Sequence, residues 1–209
     1  MLEKLLGFIE GPHADEPFVR LDSLCFEELD AVLDVSVMDY DCTETRARWR
    51  IRARDVRECR IGRSGGDVRL LEADHVLIRQ HTDPQQTLHF RGIPQSADAT
   101  LGQLWASHRH EVLDWIPFER FLNSKAPLPD LLAGGYGLLA DGPTFLIEAY
   151  ARVLSSAGLS PNASEPRPAK WWNGREWLAN PPALAAIELG ESLVVAERFD
   201  EEHLSPNAS

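Results

Sequence analysis

From Arg46 to Arg54 an arginine occupies every second position, in the run Arg46-Ala47-Arg48-Trp49-Arg50-Ile51-Arg52-Ala53-Arg54. On a helix these arginines would spread around the whole circumference. On a strand they share one face, with Ala47, Trp49, Ile51 and Ala53 on the other. The run therefore predicts a β-strand with one apolar and one strongly basic face. Just before it, Leu29, Ala31, Leu33, Val35 and Val37 alternate with Asp30, Val32, Asp34, Ser36 and Met38, which predicts a second strand. Pairing the two as a hairpin with apolar faces together sets Val37 opposite Trp49, Val35 opposite Ile51 and Leu33 opposite Ala53. The same register sets Asp34 opposite Arg52 and Ser36 opposite Arg50.

Further strands are expected at 68–71, 75–81 and 87–91, separated by turn-forming sequences at Gly62–Asp67 and Asp83–Gln86. Val76, Ile78, Leu88 and Phe90 fall on one parity, and His75, Arg79, His81, His89 and Arg91 on the other. Residues 29–91 thus read as a meander of about five antiparallel strands with an apolar and a basic face.

After Pro94 the period becomes helical. Ser96 or Asp98 is placed to cap a helix whose stripe is Leu101, Leu104, Trp105, His108 and Val112. Short helices are expected at Trp115–Leu122 and Leu128–Ala133, and Asp141-Gly142-Pro143 reads as the start of a helix ending at Gly158. The Asn-Gly turn in Trp171-Trp172-Asn173-Gly174-Arg175-Glu176-Trp177 predicts a tight hairpin, and Ser192–Phe199 a last strand. The fold class is α+β: a five-stranded antiparallel sheet, helices of 96–158 on its apolar face, and a C-terminal tryptophan hairpin plus strand. In domain terms the expectation is a core over 1–158, a linker over 159–170, a hairpin-strand element over 171–200 and a frayed tail over 201–209. Residues 1–28 read as a lead-in.

Composition narrows the classes of function. The 209 residues are 44% hydrophobic, enough for a packed core. No segment approaches the roughly 20 apolar residues of a membrane-spanning helix, and the N-terminus, with Glu3 and Lys4 in its short apolar stretch, does not read as a secretory signal. Cys25, Cys42 and Cys59 are too few and too scattered for a disulfide framework or a CxxC metal pattern. A bacterial-type cytoplasm is the expected compartment. The net charge of -12 is unevenly spread: residues 1–45 carry 12 acids and 2 bases, residues 46–91 carry 11 arginines and 6 acids. That balance points away from nucleic acid, whose generic binders are basic overall.

The arginine run admits two readings. It is an anion-binding surface, or it is architecture, neutralised by the acids of residues 1–45. Candidate anion-binding residues are Arg48, Arg50, Arg52, Arg79 and Arg91, with His81 and His89 beside them. Three imidazoles on a flat sheet do not converge on a metal, and His108 and His110, two apart on a helix, read as surface residues. No GxSxG elbow, P-loop or dinucleotide fingerprint occurs, and Gly134–Gly137 reads as a tight connection. The sequence names no catalytic residue, no metal site and no cofactor. The tryptophans at 171, 172 and 177 are either a hairpin stapled to a core or an exposed platform. The expected function is a non-enzymatic binding protein with a protein partner, one form being an acidic immunity-type inhibitor of a basic toxin or nuclease. Its contact candidates are Glu27, Glu28, Asp30, Asp34, Asp39 and Asp41. The alternative is an enzyme on a phosphorylated or carboxylated small molecule, held by the arginine clamp.

Overall fold

The computed structural model describes residues 2–11, 17–39, 41–63, 65–179 and 181–204. In chain order the elements are α1 (Glu3–Ile9), β1 (Phe18–Glu27), β2 (Asp30–Met38), β3 (Thr45–Arg60), β4 (Val68–Leu71), α2 (Val76–Thr82) and β5 (Gln85–Arg91). They continue with α3 (Ala97–Val112), a 3-10 turn at Phe118–Arg120, α4 (Leu128–Gly134), β6 (Tyr136–Pro143), α5 (Thr144–Ser156) and β7 (Ser160–Ala163). The last are β8 (Lys170–Trp172), β9 (Trp177–Ala179), β10 (Ala185–Leu189) and β11 (Ser192–Leu204). The chain divides into two compact units, Met1–Ile78 with Pro182–Ser209, and Arg79–Pro181.

The expected α+β class holds, with an antiparallel sheet of six strands in the order β1-β2-β3-β11-β10-β4. The arginine strand sits at its centre. The alternation works as anticipated on one face: Ala47, Trp49, Ile51 and Ala53 are buried together with Ala31, Leu33, Val35 and Val37. Leu5 of α1 and Leu2, which precedes the helix, pack into the same core. The register differs from the expectation by two residues: Val35 lies opposite Trp49, Leu33 opposite Ile51 and Asp34 opposite Arg50. A shift of two keeps every side chain on its face, so hydrophobic alternation alone does not distinguish the registers.

Three segments depart from the sequence reading. The lead-in holds α1 and a ten-residue strand, β1. Val76–Thr82 is a helix, not a strand; seven residues with apolar Val76, Leu77 and Ile78 in succession fit either period. β5 belongs to a separate three-stranded sheet, β6-β5-β7. β11 and β10, from the far end of the chain, lie between β3 and β4, which the meander expectation set side by side. β11 runs on to Leu204, well past Phe199, because Asp200, Glu201 and Glu202 pair with Arg52, Ile51 and Arg50 of β3.

The six-stranded sheet curls until its outer strands meet. Val19 of β1 and Gly66, just before β4, exchange both backbone hydrogen bonds at 2.9 Å. This closure needs glycine: a Cβ on Gly65 would stand 2.3 Å from the Val19 carbonyl oxygen. The junction stops after one pair. Continuing the register would set Pro17 against Val68, and proline has no N–H to give.

In the second unit, α3 starts at Ser96, whose hydroxyl accepts the Ala99 N–H. Thr100, Leu104, His108 and Val112 are its buried stripe. α4 ends at Gly135, which takes the left-handed conformation expected of a helix stop. Asp141–Pro143, read from sequence as a helix start, closes β6 instead, and α5 begins one residue later at Thr144. α5 buries Leu146, Ile147, Tyr150 and Leu154. The tryptophan hairpin forms as expected, with Trp172 opposite Trp177.

Candidate functional site

The polar face of the six-stranded sheet carries the arginine ladder, and the ladder is matched by carboxylates from neighbouring strands. Arg50 holds Asp34 of β2 with two bonds, Nε to Oδ1 at 2.8 Å and Nη2 to Oδ2 at 3.2 Å. Arg52 reaches Glu27 of β1 at 3.3 Å. Arg54 bridges two strands, donating to Asp30 of β2 at 2.5 Å and to Asp200 of β11 at 3.2 Å. Arg46 pairs with Asp39 at the start of the connecting loop. Of the five, Arg48 has no carboxylate partner among the described residues; its cross-strand neighbours are Ser36 and Leu204. The planar guanidinium suits this work, since it can serve two carboxylates from one position.

The pairing shows in the carboxyl groups. The Arg50 guanidinium, aided by the Ser23 hydroxyl and outweighing burial, holds Asp34 below the usual carboxylate range. For Asp30, burial pushes upward, but the Asp55 N–H and Arg54 together outweigh it and the net shift is downward. Asp200 behaves in the same way: burial raises it, while bonds from Arg54 and Arg198 bring it below its ordinary value.

The other anion-binding candidates do not lie on this sheet. Arg79 and His81 are on α2, and His89 and Arg91 on β5 in the three-stranded sheet. Arg79 donates twice to Asp83, at 3.0 and 2.8 Å, and its guanidinium lies 4.4 Å from the centroid of the Phe145 ring. The single basic face expected to unite all seven residues is thus divided between two sheets and a helix.

Of the partner-contact candidates, Asp30, Asp34, Asp39 and Glu27 are engaged by the ladder. Asp41 accepts from the Thr43 hydroxyl at 2.8 Å within the β2–β3 loop. Glu28 sits exposed in the β1–β2 turn at a φ of 60°, between exposed Phe26 and Leu29. That turn combines two acids with two apolar side chains open to solvent.

His108 corrects the sequence reading most sharply. It is buried, not on the surface. Its Nε2 lies 2.7 Å from the Ile116 carbonyl oxygen and its Nδ1 2.8 Å from the Tyr150 hydroxyl. A carbonyl only accepts, so Nε2 carries the proton and Nδ1 accepts from Tyr150. Burial pushes the His108 pKa down and the Tyr150 pKa up, which keeps both neutral. The pair is a buried polar link between α3 and α5. Trp172 and Trp177 are 45% and 66% exposed, with ring centroids 5.8 Å apart.

Among the described residues no three His, Cys, Asp or Glu side chains are grouped to hold a metal ion, and no helix is long and apolar enough to cross a membrane. No known family, curated protein or solved structure matches this chain.

Proposed function

We propose that this protein is a non-catalytic binding protein whose six-stranded unit engages a basic protein partner. One observation carries the reading. Of the 33 acidic and 21 basic side chains, 23 acids and 12 bases fall in that unit, while the other unit is nearly balanced with 10 acids and 9 bases. The ladder arginines cancel the carboxylates they hold, and 11 acids remain in excess in that unit. A concentrated surplus of one sign accelerates encounter with an oppositely charged partner. The β1–β2 turn suits the first contact: Phe26 and Leu29 supply apolar area, Glu28 the charge, and Glu27 a carboxylate that the partner shares with Arg52. Inhibition of a basic toxin or nuclease is a concrete form of this activity. Affinity capture from a lysate of the native organism at low salt, with elution by salt, tests it. The expected eluate is a basic protein. Recovery of only acidic or neutral proteins, or of none, would refute it.

A further inference from the structure

Beyond the closure, one side of β4 carries no strand among the described residues. An antiparallel strand turns successive residues alternately toward its two neighbours. Gly66 turns toward Val19, and Asp67 turns toward β10, accepting the Gly190 N–H at 2.8 Å. Val68 and Leu70 therefore turn their N–H and C=O groups away from β10, toward the side where β1 has stopped pairing. Among the described residues no strand occupies that side of β4 beyond the Val19–Gly66 pair. Two open cavities of about 520 Å³ each lie along this edge. One is lined by Ile9, Phe18 and Val68, the other by Leu6, Glu10 and Leu70. Strand-edge groups with no strand partner among the described residues, beside apolar hollows, are the geometry by which a sheet accepts an added strand.

Charge says what kind of strand. Glu10, Glu72 and Asp74 border the second cavity, and the Arg69 between the two cavities is paired with Asp67 at 3.3 Å. His75, also on the border, is held neutral near pH 7 by burial. The edge from Val68 to Leu71 has room for about four extended residues at roughly 3.3 Å each.

We propose that the groove between α1 and the free edge of β4 binds an extended segment of the partner protein by strand addition. The segment seats apolar side chains in the two cavities and carries basic ones, drawn to this edge by the acids at its rim, Glu10, Glu72 and Asp74. This rests on the basic-partner reading above and adds to it the site and the form of the ligand.

The test uses the full chain and a capped hexapeptide of alternating valine and lysine, with a valine–glutamate hexapeptide as the control. The readout is amide hydrogen exchange by NMR. The expected result is that the lysine peptide slows exchange at Val68 and Leu70 by tenfold or more, and that the glutamate peptide does not. A Val68→Pro variant removes one edge donor at a position where proline does not disturb the bonds to β10, and it is expected to weaken peptide binding at least tenfold. Exchange at Val68 and Leu70 that is unchanged by saturating lysine peptide would overturn the groove, as would equal protection by both peptides. The exchange result needs no variant, so it stands even where Val68→Pro is unstable. If the lysine peptide instead perturbs only the β1–β2 turn, the groove fails and the basic-partner reading survives. If a basic partner is captured yet Val68→Pro binds it unchanged, the same separation holds.

Discussion

Asp30 ties β2 to β3 through two bonds, and replacing it measures what the ion lattice contributes. Its carboxylate accepts the N–H of Asp55, a β3 residue at a φ of 55°, at 3.0 Å and the Arg54 guanidinium at 2.5 Å. Its side chain is 27% exposed. Buried hydrogen bonds to a charged group contribute about 1.5–3 kcal/mol, and exposed ion pairs about 0.2–1 kcal/mol. Asp30 lies between these cases. Asp30→Asn keeps the shape and one acceptor oxygen but loses the charge, so the expected cost is about 1–2 kcal/mol at pH 7. The pH dependence has a definite sign. The folded pKa of Asp30 is lowered, so its contribution is complete above the unfolded value of about 3.9 and is lost as pH falls through the folded value. Equilibrium urea unfolding, followed through amide signals of the six-stranded sheet, should show the wild type ahead of the variant at pH 7 and the gap narrowing as pH falls below the unfolded value of about 3.9. A gap that does not narrow at any pH below about 3.9, or none at pH 7 in low salt, would refute the lattice as a source of stability.

Gly65→Ala should open the sheet, since the new methyl would meet the Val19 carbonyl; the expected loss is about 1–3 kcal/mol, from two backbone bonds, with faster exchange at Val19 and Gly66. Tyr150→Phe leaves His108 Nδ1 without its donor and should destabilise the second unit by about 1–3 kcal/mol, measured by thermal unfolding. His108 is buried neutral with a lowered pKa, so its contribution is complete above about pH 6.5 and declines as pH falls through the folded value; His108→Gln should flatten that decline in urea titrations between pH 7 and 5. Glu201→Ala removes the carboxylate that accepts the Lys4 and Leu5 N–H groups at 2.8 Å and should cost about 1 kcal/mol, with loss of protection across α1.

Much of the fold was legible because one face of each strand is buried. Ala47 to Ala53 and Ala31 to Val37 alternate cleanly, and both strands formed with the expected faces. The register was off by two because apolar faces match equally well two residues apart. Strand order was illegible for a different reason. β10 and β11 arrive from beyond residue 181 to lie beside β3 and β4, and periodicity carries no information about partners so distant in sequence. The helix at Val76–Thr82 was misread because a short apolar run fits both periods. His108 was legible and was missed: it stands in the apolar stripe of α3 with Leu104 and Val112, and that position outweighs its polarity. The acids that match the ladder were half legible. Asp30 and Asp34 were within reach from the hairpin, whereas Asp200 lies on a strand that no local pattern pairs with β3.

The account turns on an acidic unit steering onto a basic partner. The most direct measurement is the stopped-flow association rate with the protein captured at low salt, taken from 20 to 500 mM NaCl for the wild type and for a Glu27→Lys, Glu28→Lys variant. Steering predicts a wild-type rate that falls at least tenfold across this range, roughly the span over which exposed charges become screened. It also predicts a slower, flatter profile for the variant. A rate that is independent of salt, or unchanged by reversing both charges, would contradict it.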